Sequence, residues 1–269
     1  MLQSILRGFE VDIEPFGEAL LKTGDLDPIY VMLHRAELEL RLLHRWLVAY
    51  SCFYHAGVAS KLAEAGGWGP YTEALASAPR GTERRHFRGA AAVKAVDFLK
   101  ARYTEPEGFY DYIAASPVDL PTVISRVEEH YLCGPWIAFK WCDLLDRCSG
   151  VPLVFDEAHV FMFDSPAKAV DALWERREGI SAAGSLVTAV ERRREIVDYL
   201  LGYFAGYLAP PAYDRPLGLS EVETILCKFL SPTHGHYPLG KDIREIRHGI
   251  KGWGPLAERL GRCLPEEVA

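Results

Sequence analysis

The sequence predicts an all-α protein, because apolar residues recur at spacings of three and four along the chain from Asp27 to Leu260. No segment shows the apolar–polar alternation of a strand, and no longer unit of the kind found in solenoids repeats. With 49% hydrophobic residues among 269, the chain is long enough to bury a substantial core as one large or two small domains.

The first half predicts a series of helices separated by turns. Asp27 and Pro28 are suited to cap and open the first strong helix, which the apolar spacing extends to about Arg45. Residues 46–54 are apolar almost all round, which is typical of a helix inside a core. Shorter or weaker helices are predicted within 1–27 and at Tyr71–Ser77, Gly89–Arg102 and Gly108–Ala115.

A helical hairpin is predicted between residues 121 and 149. Thr122 is the predicted N-cap, Gly134 is expected to take a positive φ at the turn, and Pro135 fits the first turn of the second helix. Such a turn offers unpaired backbone N–H groups to a phosphate, and the alternative is an ordinary hairpin with a core stripe. The apolar loop Val151, Leu153, Val154 and Phe155 is expected to anchor Asp156, partly desolvated, directly after the hairpin. The alternative is that Asp156 only caps a segment that starts at Glu157.

The second half predicts three further helices and one irregular loop. Helices are expected at Ser165–Glu175 and Val187–Tyr207, and Ser220 and Glu223 are placed as a capping box for a third. The loop SPTHGHYPLGKDI is dense in functional side chains and is expected to pack over a neighbouring active site. We therefore predict a helical core of residues 1–210 and a C-terminal helical segment of residues 211–269 that carries this loop.

A basic run precedes the predicted helix Gly89–Arg102. Arg84, Arg85, Arg88 and Lys94 crowd the start of that helix, where the helix dipole favours acids. Cations are expected there when guanidinium and backbone N–H groups hold one phosphate, and the alternative is a solvated basic surface. The net charge of −7 argues against a nonspecific nucleic-acid coat but allows a local basic face.

The composition also bounds the compartment and the cofactors. No apolar run of about 18 residues exists, and the first residues do not resemble a signal peptide, so a cytoplasmic protein that does not bind membranes is expected. The six cysteines form no C-x-x-C pair, which favours reduced thiols, mostly in the core, over a zinc or iron–sulfur site. No metal and no cofactor are expected. Tyr54 and His55 are interpreted either as ligand contacts or as a satisfied core pair.

The order of hairpin, apolar loop and Asp156 resembles helix-hairpin-helix DNA glycosylases, in which an Asp faces the flipped nucleotide. The chain departs from them at Trp136, where those enzymes carry a second glycine, and at Lys140, which does not align with their lyase lysine. The resemblance implies an all-α, helix-hairpin-helix DNA glycosylase-like fold with a C-terminal helical extension. The departures argue against base excision through a lysine Schiff base.

Further segments resemble one particular family. They are DPIYVMLHRA, FYHAG, HFRGAAAVKAVDFL, LVFDE and VETILCKFLSPTHGHYPLGKDI. Together they resemble the α-glutamyl/putrescinyl thymine pyrophosphorylases, also called amino acid:DNA transferases, which occur chiefly in phages. The resemblance spans roughly residues 27–264. It implies transfer of an amino acid or polyamine amine onto the 5-methylene of phosphorylated 5-hydroxymethyluracil in double-stranded DNA, with displacement of (pyro)phosphate. If the chain is phage-encoded, it would act in the host cytoplasm.

The resemblance also implies roles for individual residues. Asp156 or His236 would remove a proton from the amine, and cations of the basic run or Lys228 and Lys241 would stabilise the leaving phosphate. Gly134 of the hairpin would contact the DNA backbone. The candidates for substrate binding are Tyr54, His55, His159, Tyr237 and Asp242. Two alternatives stay open: a monofunctional DNA glycosylase in which Asp156 stabilises charge on the sugar, and a noncatalytic DNA-binding module.

Overall fold

The computed structural model describes residues 12–157, 163–179, 181–230 and 237–267. Every regular element in these ranges is a helix, and their β structure is limited to an isolated bridge between Leu208 and Pro216. The predicted all-α class is confirmed. Across the same ranges, no helix is long and apolar enough to cross a membrane.

The described residues contain the following α-helices in chain order. They are α1 (Ile13–Thr23), α2 (Pro28–Ala36), α3 (Leu40–Phe53), α4 (Ala56–Ala65), α5 (Gly69–Ser77), α6 (Gly89–Arg102), α7 (Pro106–Ile113), α8 (Leu120–Glu128), α9 (Pro135–Ser149), α10 (Asp164–Glu178), α11 (Ala189–Tyr203), α12 (Leu219–Phe229), α13 (Lys241–Gly249) and α14 (Pro255–Cys263). Short 3-10 turns lie at Thr82–Arg84, Ala182–Gly184 and Phe204–Gly206.

The described residues belong to two compact units, each built from segments that are distant in the sequence. The hairpin unit contains Pro28–Val154 and Asp242–Pro265. The second unit contains Met1–Asp27, Phe155–Lys241 and Glu266–Ala269. The predicted division into residues 1–210 and 211–269 stays a prediction.

Helix α3 supplies the longest buried stretch of the hairpin unit. Residues 46–53 are all buried, as their uniformly apolar character predicts. Trp46 of this helix and Trp141 of α9 are fully buried, and α3 packs against both α4 and α7. Burying whole aromatic side chains removes the largest apolar areas from water, so these residues stabilise the unit most.

The prediction of a single helix from residue 28 to about residue 45 is wrong, because helical structure is interrupted between α2 and α3. Glu37 has a positive φ of 44°. Glu39 then caps α3, since its carboxylate accepts two backbone N–H bonds at 3.1 and 3.2 Å. Leu40 fits the apolar spacing yet is 67% exposed. Local capping therefore divides a pattern that periodicity alone reads as continuous.

The predicted hairpin joins α8 to α9, but two details of its capping and turn differ. Asp119 rather than Thr122 is the N-cap of α8, and its carboxylate accepts the Thr122 N–H at 2.8 Å. Leu132 rather than Gly134 has the positive φ, at 62°, whereas Gly134 is extended and caps α9. The reason lies in a distant residue: the Leu132 carbonyl accepts a hydrogen bond from Arg84 Nη1 at 3.0 Å.

Capping also shifts two helix starts in the second unit. Helix α11 begins two residues later than predicted, because Thr188 caps it. Helix α12 is present, but its predicted capping box is wrong. The helix begins at Leu219, one residue before Ser220, and Gly218 is its N-cap. Glu221, rather than Glu223, accepts the N–H of the capping residue, at 2.8 Å.

Candidate functional site

The N-terminus of α9 lines a cleft in the hairpin unit. The cleft has a volume of about 260 Å³ and is lined by Glu83, Arg84, His86, Phe87, Leu132, Gly134, Pro135, Trp136 and Ile137. Among the described residues, no partner accepts the backbone N–H groups of Gly134, Trp136 and Ile137. A Cβ built on Gly134 would meet nothing within 4 Å. Open, unpaired N–H groups at a helix start are suited to an anion such as a phosphate.

Arg84, predicted to contact phosphate, is buried beneath this cleft. Its Nε donates to the Cys52 carbonyl at 3.3 Å and its Nη1 donates to the Leu132 carbonyl at 3.0 Å. The guanidinium also lies 4.8 Å from the centre of the Phe87 ring. Burial lowers the pKa of Arg84 below its ordinary value. The side chain ties α3 to the hairpin turn, which favours a positioning role over direct contact with a ligand.

The other cations of the basic run are exposed around the start of α6. Arg85 makes one long hydrogen bond, to the Thr82 carbonyl at 3.4 Å, and Arg88 occupies the N-cap position of α6. The Lys94 ammonium lies 4.4 Å from the centre of the Tyr131 ring. These three side chains are placed where a phosphate can reach them, and their role in binding one stays a prediction.

Tyr54 and His55 lie at the junction of α3 and α4. Tyr54 has a left-handed conformation, with φ of 49° and ψ of 42°, and its ring packs 5.3 Å from that of Trp136. His55 caps α4, because its Nδ1 accepts the Val58 N–H at 3.2 Å. Its ring packs on Trp253, and burial lowers its pKa. These contacts favour the interpretation of His55 as a satisfied core residue.

A buried polar network on α9 was not predicted from the sequence. The Tyr30 hydroxyl and the Lys140 ammonium both donate to the Asp143 carboxylate, the ammonium at 2.8 Å. Arg147 Nη1 lies 4.0 Å from the other carboxylate oxygen. Burial raises the pKa of Asp143, but the two cations and the hydrogen bonds lower it by more, so it stays below its ordinary value. The charged spacing of three and four residues within an apolar helix was the signal for this network.

In the second unit, the structure brings together three of the predicted site residues. The Lys228 ammonium lies 4.6 Å from the centre of the buried Tyr237 ring, and the Lys241 ammonium lies 5.8 Å from the same point. Lys228 also donates to the main-chain oxygen of Asp25. The fully buried Asp25 carboxylate accepts the Gly240 N–H. We call Asp25, Lys228, Tyr237 and Lys241 the lysine cluster; it places two ammonium groups beside one aromatic ring.

Asp156 lies in irregular chain at the start of the second unit and is exposed. The expectation of a partly desolvated Asp156 is therefore wrong. Of the residues expected to anchor its loop, Leu153 is buried but Val154 is 86% exposed. Because Leu153 N–H also donates to the Asp146 carboxylate at 3.2 Å, the loop is anchored there rather than along its whole length. The role of Asp156 as a base stays a prediction.

The remaining candidates are placed as follows. Asp242 lies half-buried in the first turn of α13, whereas His159 and His236 lie outside the described residues. The part of the chain that the structure describes contains no group of three or more His, Cys, Asp or Glu side chains able to hold a metal ion. All six cysteines are free thiols, of which Cys52 and Cys142 are buried.

Comparison with known proteins identifies the family. Residues 72–237 match the family described as amino acid:DNA transferase. The chain is 43% identical to a glycinyltransferase of Pseudomonas phage PaMx11, over 97% of this chain and 98% of that protein. It is 28% identical to a putrescinyltransferase of Delftia phage PhiW-14, over 94% of this chain and 83% of that protein. The chain therefore belongs to the amino acid:DNA transferase family, which confirms the resemblance drawn from its motifs and makes it a transferase.

Proposed function

We propose that the chain transfers glycine to DNA, joining the amino nitrogen to the 5-methylene carbon of phosphorylated 5-hydroxymethyluracil. The observation that carries the choice of donor is the 43% identity to a phage glycinyltransferase, compared with 28% to a putrescinyltransferase. The alignment with the glycinyltransferase extends over nearly the whole of both chains, so the region that selects the donor lies within the compared sequence.

The reaction is a displacement at the methylene carbon. The amine nitrogen forms a bond to that carbon while the bond from the carbon to the phosphate oxygen breaks, and the electron pair leaves with the phosphate or diphosphate. Glycine enters as an ammonium, so a base must take one proton before or during the attack. The leaving group gains negative charge, which nearby cations stabilise more in the transition state than in the ground state.

The lysine cluster is the proposed site for the leaving group. Lys228 and Lys241 both approach the Tyr237 ring, so their charges are already close together before a phosphate arrives. Prearranged cations require little reorganisation when charge develops on the phosphate oxygen. Asp156 is the proposed base, with His236 as the alternative, and Tyr237 and His159 are the proposed contacts for the donor.

The hairpin unit supplies the proposed grip on the DNA backbone. Gly134 and the first turn of α9 offer unpaired N–H groups to one phosphate. Arg85, Arg88 and Lys94 are exposed cations near the start of α6, suited to neighbouring phosphates. Arg84 would act indirectly, by holding the turn that presents the N–H groups.

The test is direct product analysis. DNA that contains phosphorylated 5-hydroxymethyluracil is incubated with the protein and an equimolar mixture of glycine, glutamate and putrescine, and the nucleosides are analysed by mass spectrometry. We expect the glycine adduct of thymidine and release of phosphate or diphosphate. A putrescine or glutamate adduct would refute the proposed donor. Abasic sites without an adduct would assign the chain a glycosylase activity, and binding without any product would make it a DNA-binding module.

A further inference from the structure

Helix α6 carries a stripe of alternating cationic and aromatic side chains. Lys94, Phe98 and Arg102 are four residues apart, so they lie on one face of the helix, beside the face that carries the buried residues Ala92 and Leu99. The Arg102 guanidinium lies 3.9 Å from the centre of the Phe98 ring. Lys94 continues the stripe onto the hairpin turn through its contact with Tyr131. We call these residues, Lys94, Phe98, Arg102 and Tyr131, the cation–aromatic ridge.

The ridge is held on a rigid support. Phe98 packs edge-on against His130, with ring centres 5.8 Å apart. His130 is only 4% exposed, and both of its ring nitrogens are hydrogen-bonded, to the Tyr103 hydroxyl and to a main-chain oxygen, at 2.8 Å each. Tyr131, beside it, is 37% exposed, although it is a large aromatic residue. The left-handed Leu132, which Arg84 fixes, follows directly. The fold therefore presents Tyr131 to solvent instead of burying it.

The net charge of helix α6 is opposite in sign to that of the whole chain. Helix α6 contains three cations, Lys94, Lys100 and Arg102, and one acid, Asp97, whereas the chain has a net charge of −7. Lys94 and Arg102 are eight residues apart, or about 12 Å along the helix axis. That distance corresponds to three or four base-pair steps of roughly 3.4 Å along the axis of the DNA duplex. Cations interleaved with exposed aromatic rings are the combination that holds unstacked nucleic acid.

We propose that the cation–aromatic ridge extends the DNA contact surface formed by the hairpin N–H groups and the basic run, with which it shares Lys94. Lys94 and Arg102 hold phosphates of one strand, and Tyr131 stacks on a base that has lost its neighbour when the target nucleotide leaves the helix. This inference rests on the proposed function, because it takes DNA with an extruded base as the occupant. It adds Phe98, Arg102 and Tyr131 to the residues that recognise the substrate.

The experiment measures DNA binding alone, so it does not depend on turnover. Fluorescence anisotropy is recorded across a salt series with a labelled duplex that contains one mismatched pair, and with the fully paired duplex. The charge variant is Lys94→Gln with Arg102→Gln. Its matched control is Lys100→Gln with Arg35→Gln, which removes one exposed cation from another face of α6 and one from α2. The plot of log K against log salt has a negative slope. Loss of two phosphate contacts should make that slope less steep by about 1.8, in the charge variant only.

Tyr131→Ala tests the stacking part of the proposal, with Tyr131→Phe as the conservative control. We expect Tyr131→Ala to bind the mismatched duplex roughly 5- to 150-fold more weakly, the range for losing one stacked base, and Tyr131→Phe to bind normally. Equal slopes in charge variant and control would overturn the proposal, as would unaltered binding by Tyr131→Ala or absence of DNA binding by the unmutated chain. The charge variant could also lose binding to poly-glutamate but keep its binding to DNA. That result would assign the ridge to an acidic protein partner instead of DNA. A chain that responds as expected here but forms no glycine adduct would refute only the proposed reaction.

Discussion

Replacement of Arg84 distinguishes a residue that positions the hairpin from one that touches phosphate. Arg84→Met removes two hydrogen bonds from a charged donor to main-chain carbonyls, at 3.3 and 3.0 Å. Bonds of this type contribute about 1.5 to 3 kcal/mol each, and the methionine stem keeps part of the packing on Phe87. We therefore expect the free energy of unfolding to fall by about 3 kcal/mol or more, a large part of the stability of an ordinary domain.

Denaturant titration followed by tryptophan fluorescence measures this loss, and anisotropy measures DNA affinity on the same samples. Arg84→Lys should rescue little, because one ammonium cannot reproduce the two-armed geometry of the guanidinium. Arg85→Met is the matched control: its side chain is exposed, so stability should change by less than about 0.5 kcal/mol while the salt slope of DNA binding falls by about 0.9. Equal stabilities of the Arg84 and Arg85 variants would refute the positioning role.

Three further predictions concern chemistry and pH. Asp156→Asn should leave the melting temperature nearly unchanged and reduce glycine transfer roughly 100-fold, because Asn cannot accept the proton; normal turnover would leave Asp156 as a helix cap only. Lys228→Met should lower kcat by about 100-fold or more through loss of a cation at the leaving group. The control is Lys168→Met, since Lys168 is an exposed residue of the same unit. Equal kcat values for the two variants would place the leaving group elsewhere. Burial lowers the pKa of both His55 and His130. Such groups bind protons more tightly in the unfolded chain, so stability is present above their unfolded pKa of about 6.5 and is lost as the pH falls below it. Urea titrations from pH 7.5 to 5 measure this, and a rising or level stability toward pH 5 would contradict it.

Helix type and the most strongly patterned segments could be predicted because they depend on neighbouring residues. The expected bounds of α6, Gly89–Arg102, are those in the structure. The uniformly apolar segment 46–53 is buried as expected. In both segments the residues that are buried are those that the apolar spacing marks as core. Where a cap or a distant side chain decides the conformation, as at Glu39 and Leu132, the apolar pattern contains no information about it.

The functional groups were harder to place because their partners are distant in the chain. Asp25 meets Gly240 across 215 residues, and nothing near Asp25 distinguishes it from other acids. Arg84 and Arg85 are adjacent and chemically identical, yet one is buried in main-chain hydrogen bonds and the other is exposed. Composition identifies such a basic run but not which of its members faces solvent. The lysine cluster was partly predicted, since Lys228, Tyr237 and Lys241 belong to one dense segment.

The packing of α14 on α2 and α4 has a consequence for the growing chain during synthesis. Arg259 donates to the Ala36 carbonyl, 223 residues away, and the Leu256 N–H donates to Glu64 at 3.0 Å, 192 residues away. At a translation rate of roughly 5 to 20 residues per second, α14 is synthesised on the order of 10 to 45 seconds after α2. During that interval the apolar surface that α14 will cover stays open to chaperones and to other nascent chains. Synthesis of α14, rather than local helix formation, therefore sets the earliest moment at which the hairpin unit can close.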